Sequence, residues 1–228
     1  LVGPRARLAW GGEGRFAAKV ITRQGTDKVA RFSFELARSR AAQSGRDPSL
    51  TVSAKTNMLP ATDRWFCLIV EEVGADYPDV SLTQYIVDDM AHRLVTSPEE
   101  LDVLLLPNLY GDVLSDLGAG TIGGMGLAPS GCYGDDVAYF ESAHGTAPDL
   151  VGQGRINPTA TLLSAAMMLE WLGLNQAASR LDHAIGEVFR WPHHHDRSGR
   201  NGDHGRVHRG RADPAPVSDP IRPRVSRS

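Results

Sequence analysis

Residues 101–120 read Leu-Asp-Val-Leu-Leu-Leu-Pro-Asn-Leu-Tyr-Gly-Asp-Val-Leu-Ser-Asp-Leu-Gly-Ala-Gly, and this stretch decides the fold class. Residues 102–106 predict a short apolar strand buried on both faces. Residues 108–111 turn it into a short helix over 112–117. A strand that passes straight into a helix is the repeating step of an α/β fold. Working outward, the same alternation recurs. Upstream, residues 16–22 predict a strand, and Thr26 can cap a helix carrying Val29, Phe32 and Leu36 at helical spacing to about Gly45. A strand over 50–54 and an amphipathic helix over 63–75 follow. Tyr77-Pro78-Asp79 turns into a strand over 80–87, and residues 88–95 predict a helix. Downstream, Gly118, Gly120, Gly123, Gly124 and Gly126 form a Gly-rich stretch, and residues 137–141 a strand. A helix over 158–172 has Asn157 as cap, Pro158 in its first turn and Gly173 at its end. Residues 176–189 give a last helix. The expected architecture is α/β, with a mixed, largely parallel sheet flanked by helices and no internal repeat.

Composition sets the outer bounds. A chain of 228 residues, 41% hydrophobic and 22% charged, has enough apolar side chains for one large or two small domains. No run of about 18 apolar residues occurs, so no membrane span is expected. No charged-then-apolar leader opens the chain, so no secretion signal is expected either. Cys67 and Cys132 form no metal spacing and fit a reducing, cytoplasmic setting better than a disulfide scaffold. The net charge of −3 is unevenly spread. Residues 190–228 hold nine Arg, no Lys and four Asp, while the rest carries 15 basic and 23 acidic residues. Past Phe189 the chain is dominated by Pro, Gly, His and Arg, the composition of a disordered tail. An arginine-rich arm can contact nucleic acid and His193–His195 can bind metal; both readings yield below to a simpler origin.

Three constellations carry chemistry. Asp112 and Asp116 lie four apart, on one helix face, a spacing that suits a hard divalent cation with oxygen ligands. Acids in a helix's first turn are also favoured by the macrodipole alone. Residues 144–158 are a loop of small residues holding His144, Asp149 and Asn157. Such a loop lets backbone approach a ligand closely, and an acid there binds a ribose diol and repels a 2′-phosphate. The competing reading is an ordinary loop histidine and a turn aspartate. Lys55, one of three lysines in the chain, follows a strand, where ligands gather in α/β sheets; alone it would read as a solvated surface residue.

Taken together, these segments resemble the β-decarboxylating dehydrogenase family, which contains isocitrate, 3-isopropylmalate, homoisocitrate and tartrate dehydrogenases. The resemblance is carried by VITRQGTDKVARFSFELAR (20–38), KTNM (55–58), YPDV (77–80), YIVDDMAHRLV (85–95), LDVLLLPNLYGDVLSDLGAG (101–120), GGMGLAPSG (123–131) and HGTAPDLVGQGRINPTATLLSAAMML (144–169). It implies an isopropylmalate dehydrogenase-like fold over residues 16–189, incomplete at the N-terminus. It implies Mg²⁺ or Mn²⁺ bound by Asp112 and Asp116, with Asp88 contributed by a homodimer partner. Lys55 would likewise reach across the dimer and deprotonate a 2-hydroxy acid, and Asn57 would lie by substrate and nicotinamide. His144, Gly145, Thr146, Ala147, Asp149 and Asn157 would hold the adenosine end of the cofactor. NADP-using members carry a basic residue where this chain has Asp149, so NAD is implied. NLYGD and GGMGLAPSG resemble the isocitrate branch more than the isopropylmalate branch, which makes oxidation of isocitrate to 2-oxoglutarate the expected activity and 3-isopropylmalate dehydrogenase (leucine biosynthesis) the alternative. Neither nucleic acid nor membrane is expected as a partner.

The chain also departs from the family. The family's proton-donating tyrosine, and the arginines that grip substrate carboxylates, have no counterpart before VITR, and residues 1–15 match nothing. A catalytically inert fragment or regulatory subunit is therefore the reading from another class, opposed by intact Lys55, Asp88, Asp112 and Asp116. After the last helix the family carries a Thr-rich turn and a DLGG segment. Residues 193–210 written in GC-rich synonymous codons and read one nucleotide later can give TTTTDLGGTATTAEFTEA, which is similar to that segment. The tail is thus read as out-of-frame translation. Sequencing the gene across codons 189–210 tests this: an open family-like frame is expected, and stop codons in it would overturn the idea.

Overall fold

The computed structural model describes residues 5–7, 13–15 and 17–190. Two short strands, β1 (Arg5–Arg7) and β2 (Glu13–Arg15), pair antiparallel, within the segment that the sequence left unplaced. Residues 17–22, expected to be a strand, have no regular structure. Thr22 instead caps helix α1 (Arg23–Ser44), its hydroxyl accepting the Gly25 N–H at 3.2 Å. Thr26, the expected cap, lies inside the helix, with its hydroxyl donated to the Thr22 carbonyl at 2.9 Å. Gly45 ends α1 in the left-handed conformation at φ 69°, as expected of a C-terminal glycine.

Helix α1 buries Phe34 together with Ala30, Ala37 and Ala41, the alanines letting it lie close to the sheet. The larger Val29, Phe32 and Leu36 stay 38–42% exposed along its flank. Their helical spacing is real, but the core side of the helix is the alanine face with Phe34. That ring stacks on Tyr77 at 4.7 Å.

The central sheet has three parallel strands in the order β4-β3-β5: β3 (Ser49–Ala54), β4 (Ser81–Ile86) and β5 (Val103–Leu105). Helix α2 (Trp65–Gly74) connects β3 to β4, and α3 (Val87–Thr96) connects β4 to β5. Parallel neighbours require such crossovers. The strand β3 is buried on both faces, and its Leu50 and Val52 meet Phe34, Phe66, Val70 and Val73 in the main core. A π-helical turn, Pro60–Arg64, precedes α2, so the helix expected from residue 63 divides in two.

Helix α4 (Asn108–Thr121) begins four residues earlier and runs four residues longer than expected. The amides of Tyr110 and Gly111 already bond the Pro107 carbonyl, both at 3.0 Å, so the glycine continues a helix rather than making a turn. Gly123 and Gly124, at φ 116° and 117°, stop it. Strands β6 (Pro129–Tyr133) and β7 (Ala138–Ser142) form an antiparallel hairpin; β6 was not expected, since a proline and a glycine mask its pattern. Antiparallel pairing is thus confined to two hairpins outside the parallel sheet.

Helix α5 (Thr159–Trp171) packs on that hairpin, and α6 (Asn175–Arg190) packs on α5. Asn157 supplies the expected cap, its side-chain oxygen accepting the Thr159 amide at 3.0 Å. Gly173, at φ 76°, ends α5. The disordered, out-of-frame tail expected over residues 190–228 lies outside the described residues, as does Phe16, except for Arg190, which ends α6. Among the described residues no helix is long and apolar enough to cross a membrane.

Burial of Cys67, 1% exposed between α2 and the sheet, pushes its thiol up to about 11. The folded state favours the neutral thiol, so its contribution is complete below about pH 9 and is lost as pH rises towards 11. Denaturant titrations of the wild type should therefore lose up to roughly 2–3 kcal/mol more than Cys67→Ala over that window. Parallel pH profiles for the two proteins would show this account wrong.

Candidate active site

The parallel register Ala54↔Ile86 brings the carboxyl ends of β3 and β4 side by side. Lys55 is the first residue past β3, and Asp88 lies in the first turn of α3. Their side chains meet as an ion pair in which Lys55 is half-buried and Asp88 exposed. The neighbouring Asp89 is engaged differently, by Arg93 at 3.0 Å. Past Lys55 the chain turns tightly, with the amides of Met58 and Leu59 donated to the Lys55 carbonyl. Asn57 stands exposed in that turn.

Beneath the turn lies Asp63, which the sequence reading took as the start of a helix and gave no role. It is fully buried. One carboxylate oxygen accepts the Lys55 amide at 3.0 Å. The other takes the Lys19 ammonium and the Thr62 hydroxyl, and the Tyr110 phenol lies near enough to help favour the ionised carboxylate. Burial alone would raise the carboxyl, but these donors outweigh it and hold Asp63 below the ordinary aspartate range. Burial, with the bond to Asp63, pushes the Tyr110 phenol up to about 12. An acid eight residues past a candidate lysine, in a polar stretch, is the only sequence signal that could have marked Asp63.

Asp112 and Asp116 are exposed on α4 one turn apart, on the side away from buried Leu114. Among the described residues neither carboxylate meets a cation or a hydrogen-bond donor. Asp88 is not gathered with them: no group of three potential metal ligands forms among the described residues of one chain. Asp88 is nevertheless near enough for its charge to act on Tyr110, two residues before Asp112.

The third constellation forms a cleft of about 730 Å³ between the β7 end and the start of α5. Glu141, His144, Gly145, Thr146, Ala147 and Asn157 line it, together with Arg155. Asp149 is not in its wall; it sits exposed in the 3₁₀ turn Pro148–Leu150, beside Leu150, which does line it. His144 donates from Nδ1 to the Gly145 carbonyl at 2.8 Å. That tautomer leaves Nε2 as an acceptor, buried and without a partner. A side chain on Gly145 would meet nothing within 4 Å, so bare backbone faces open space there. Ser164 braces the cleft from α5: its hydroxyl accepts the Ser130 amide at 3.2 Å and reaches the Glu141 carbonyl at 2.6 Å.

Ala147 is the one non-glycine residue with positive φ among those described, at φ 42° and ψ 59°. Strain in a ligand loop of this kind persists when the loop's shape matters more than local stability. Ala147→Gly should raise stability by about 0.5–1 kcal/mol, measured as a shift in the denaturant midpoint. A loss of stability would instead show that the methyl group packs usefully.

Three comparisons bear on this geometry. The profile of the isocitrate/isopropylmalate dehydrogenase family matches residues 6–195. The isocitrate/homoisocitrate dehydrogenase of Thermus thermophilus is 44% identical over 173 residues, covering 76% of this chain and 50% of the relative. The 3-isopropylmalate/3-methylmalate dehydrogenase of Methanocaldococcus jannaschii is 43% identical, covering 76% and 52%. The crystal structure of an isocitrate dehydrogenase from Methylococcus capsulatus superposes with a TM-score of 0.70 at 40% identity, covering 77% of this chain and 50% of that one. The chain thus spans about half the length of the curated relatives it matches. With Lys55 at a strand end, the aspartate pair on α4 and the small-residue cleft all in the matched region, the chain belongs to the isocitrate/isopropylmalate dehydrogenase family.

Proposed function

We propose that the protein to which this chain belongs is an NAD-dependent, Mg²⁺- or Mn²⁺-assisted dehydrogenase that converts isocitrate to 2-oxoglutarate with loss of CO₂. The observation that carries this reading is the placement of Lys55 and Asp88 at the carboxyl edge of the sheet, with α3 packed beside the helix α4 that carries the unpaired Asp112 and Asp116. That edge is where α/β sheets collect their ligands.

The residues present fit both implied groups. Two exposed carboxylates one turn apart are hard oxygen donors without protein partners, as a hard cation requires. The cleft offers bare backbone at Gly145 and an unpaired acceptor at His144 Nε2, features that suit a polar heterocycle such as the adenosine end of a dinucleotide. Asp149 at its mouth opposes a 2′-phosphate, which favours NAD. Asp112 and Asp116 would hold the cation, which supplies Lewis-acid polarisation of the substrate's oxygens when bound. Lys55 would take the proton of the substrate hydroxyl and Asn57 would orient the reacting carbon, while the bound dinucleotide would supply the hydride acceptor.

The active form in this reading is a homodimer in which Lys55 and Asp88 serve the partner's site. Met58, Leu109 and Val113 are 60–67% exposed around Lys55 and Asp112, an apolar surface that a second copy would cover. Two free cysteines suit a reducing compartment, here taken as the cytoplasm. A second substrate, 3-isopropylmalate, is favoured by one fact: the archaeal relative named for that acid is almost as similar as the isocitrate relative, at 43% against 44%.

The decisive assay follows NADH formation with Mn²⁺ and each acid, for the full-length protein and for this chain. The full-length protein should prefer isocitrate and NAD⁺ over NADP⁺, and Asp112→Asn should cost at least about 100-fold in kcat/KM. Preference for 3-isopropylmalate would move the enzyme to the second reading. Full-length turnover without turnover by this chain would mark the 228 residues as an inert portion, and no turnover by either would overturn the proposal.

A further inference from the structure

We infer that Asp63 is a positioning residue whose buried carboxylate locks the backbone of Lys55 and the first turn of α4 into one register. The inference rests on the catalytic reading of Lys55 and Asp112 given above. A carboxylate has about four acceptor positions. Here three donors bond it directly, from residues 19, 55 and 62, and the Tyr110 phenol approaches as a fourth polar neighbour. They come from four separate pieces of chain: the segment before α1, the end of β3, the π-helical turn and α4. Asp63 therefore has no spare rotamer, since any rotation leaves a buried donor unpaired.

The connections are specific in kind. Asp63 holds the Lys55 amide, whereas the Lys55 ammonium points elsewhere, to Asp88. The anchor fixes where the side chain starts and leaves its amine free for chemistry. On the other side the carboxylate faces Tyr110, two residues before Asp112, and Lys19 sits 4.5 Å from the centre of that same ring. Lys19 matches the charge of Asp63 without entering the site, so the carboxylate stays ionised and the Lys55 amine is not drawn in to neutralise it. The candidate base and the candidate metal helix lie on different elements, and Asp63 links them by bonding the Lys55 amide and pairing with the Lys19 ammonium that sits over the Tyr110 ring.

Amide hydrogen exchange on the 228-residue chain tests this without requiring turnover. Tyr110→Phe removes a single donor and retains the ring. It should speed exchange at least about fivefold in residues 54–59, which Tyr110 does not touch, as well as in 108–112, while residues 144–157 are unchanged. Asp63→Asn should accelerate both segments by about tenfold or more. Val70→Ala serves as a core control that lowers global stability without touching the carboxylate. If Tyr110→Phe alters only residues 108–112, or if Val70→Ala reproduces the paired response, Asp63 is ordinary packing and the inference falls. In the full-length enzyme Tyr110→Phe should lower kcat with the KM for NAD⁺ unchanged; an equal rise in that KM would also count against it. Paired exchange in a protein that never forms NADH would leave the coupling standing and overturn the functional reading instead.

Discussion

The two-sided burial of β3 is the constraint on which the rest depends. Its six residues pair with β4 on one edge, Leu50–Val52 pair with β5 on the other, and α1, α2 and α3 pack against it. A strand so enclosed has no freedom to slip, since a shift of one residue would exchange its two faces. The register Ala54↔Ile86 is therefore fixed, and with it the position of the next residues on each strand. Lys55 and Asp88 meet because a hydrophobic core upstream leaves them no other place. Chemistry at the strand ends inherits its precision from packing that contains no chemistry at all.

The same constraint explains why Asp63 can be buried. A carboxylate in a protein interior is tolerated only when paired and fully hydrogen-bonded. The turn after β3 supplies the Lys55 amide, and the π-helical start of α2 supplies the carboxylate itself. A regular α-helix from residue 63 would not need the extra residue that the π turn inserts. π-helical bulges are common where a side chain must be aimed rather than merely packed. Lys19 then provides the counter-charge from a segment with no regular structure, which accounts for residues 17–22 leaving the strand geometry that their apolar pattern suggests.

The sequence spelled out the parallel α/β layout and most of its helices, because buried strands and capped helices leave periodic traces. Thr26 carries a capping side chain, but Thr22 carries one too, and only the fold decides that the helix starts after Thr22. The Gly-rich stretch divided unexpectedly: Gly118 and Gly120 continue a helix whose small residues permit it, while Gly123 and Gly124 take positive φ and end it. Short motifs named the residues of the cleft, yet Asp149 proved to flank its wall rather than form it. Asp63 was illegible, since its importance lies in donors 44 and 47 positions away in sequence, from Lys19 and Tyr110, and no local pattern records such meetings.

The two halves of the candidate site differ in how they are built. The cleft at His144–Asn157 closes within a single stretch of chain, running from β7 to α5 and braced by Ser164, so its shape is complete in one copy. The acidic half is assembled from α3 and α4, and its carboxylates do not converge within one chain. Exposed Met58, Leu109 and Val113 surround those acids, whereas the cleft is lined mostly by small and polar groups. In the proposed reading a second copy would cover that apolar surface and bring the carboxylate that the acidic half lacks. Nucleotide binding and completion of a cation site would then be separable, the first resting on one chain and the second on association.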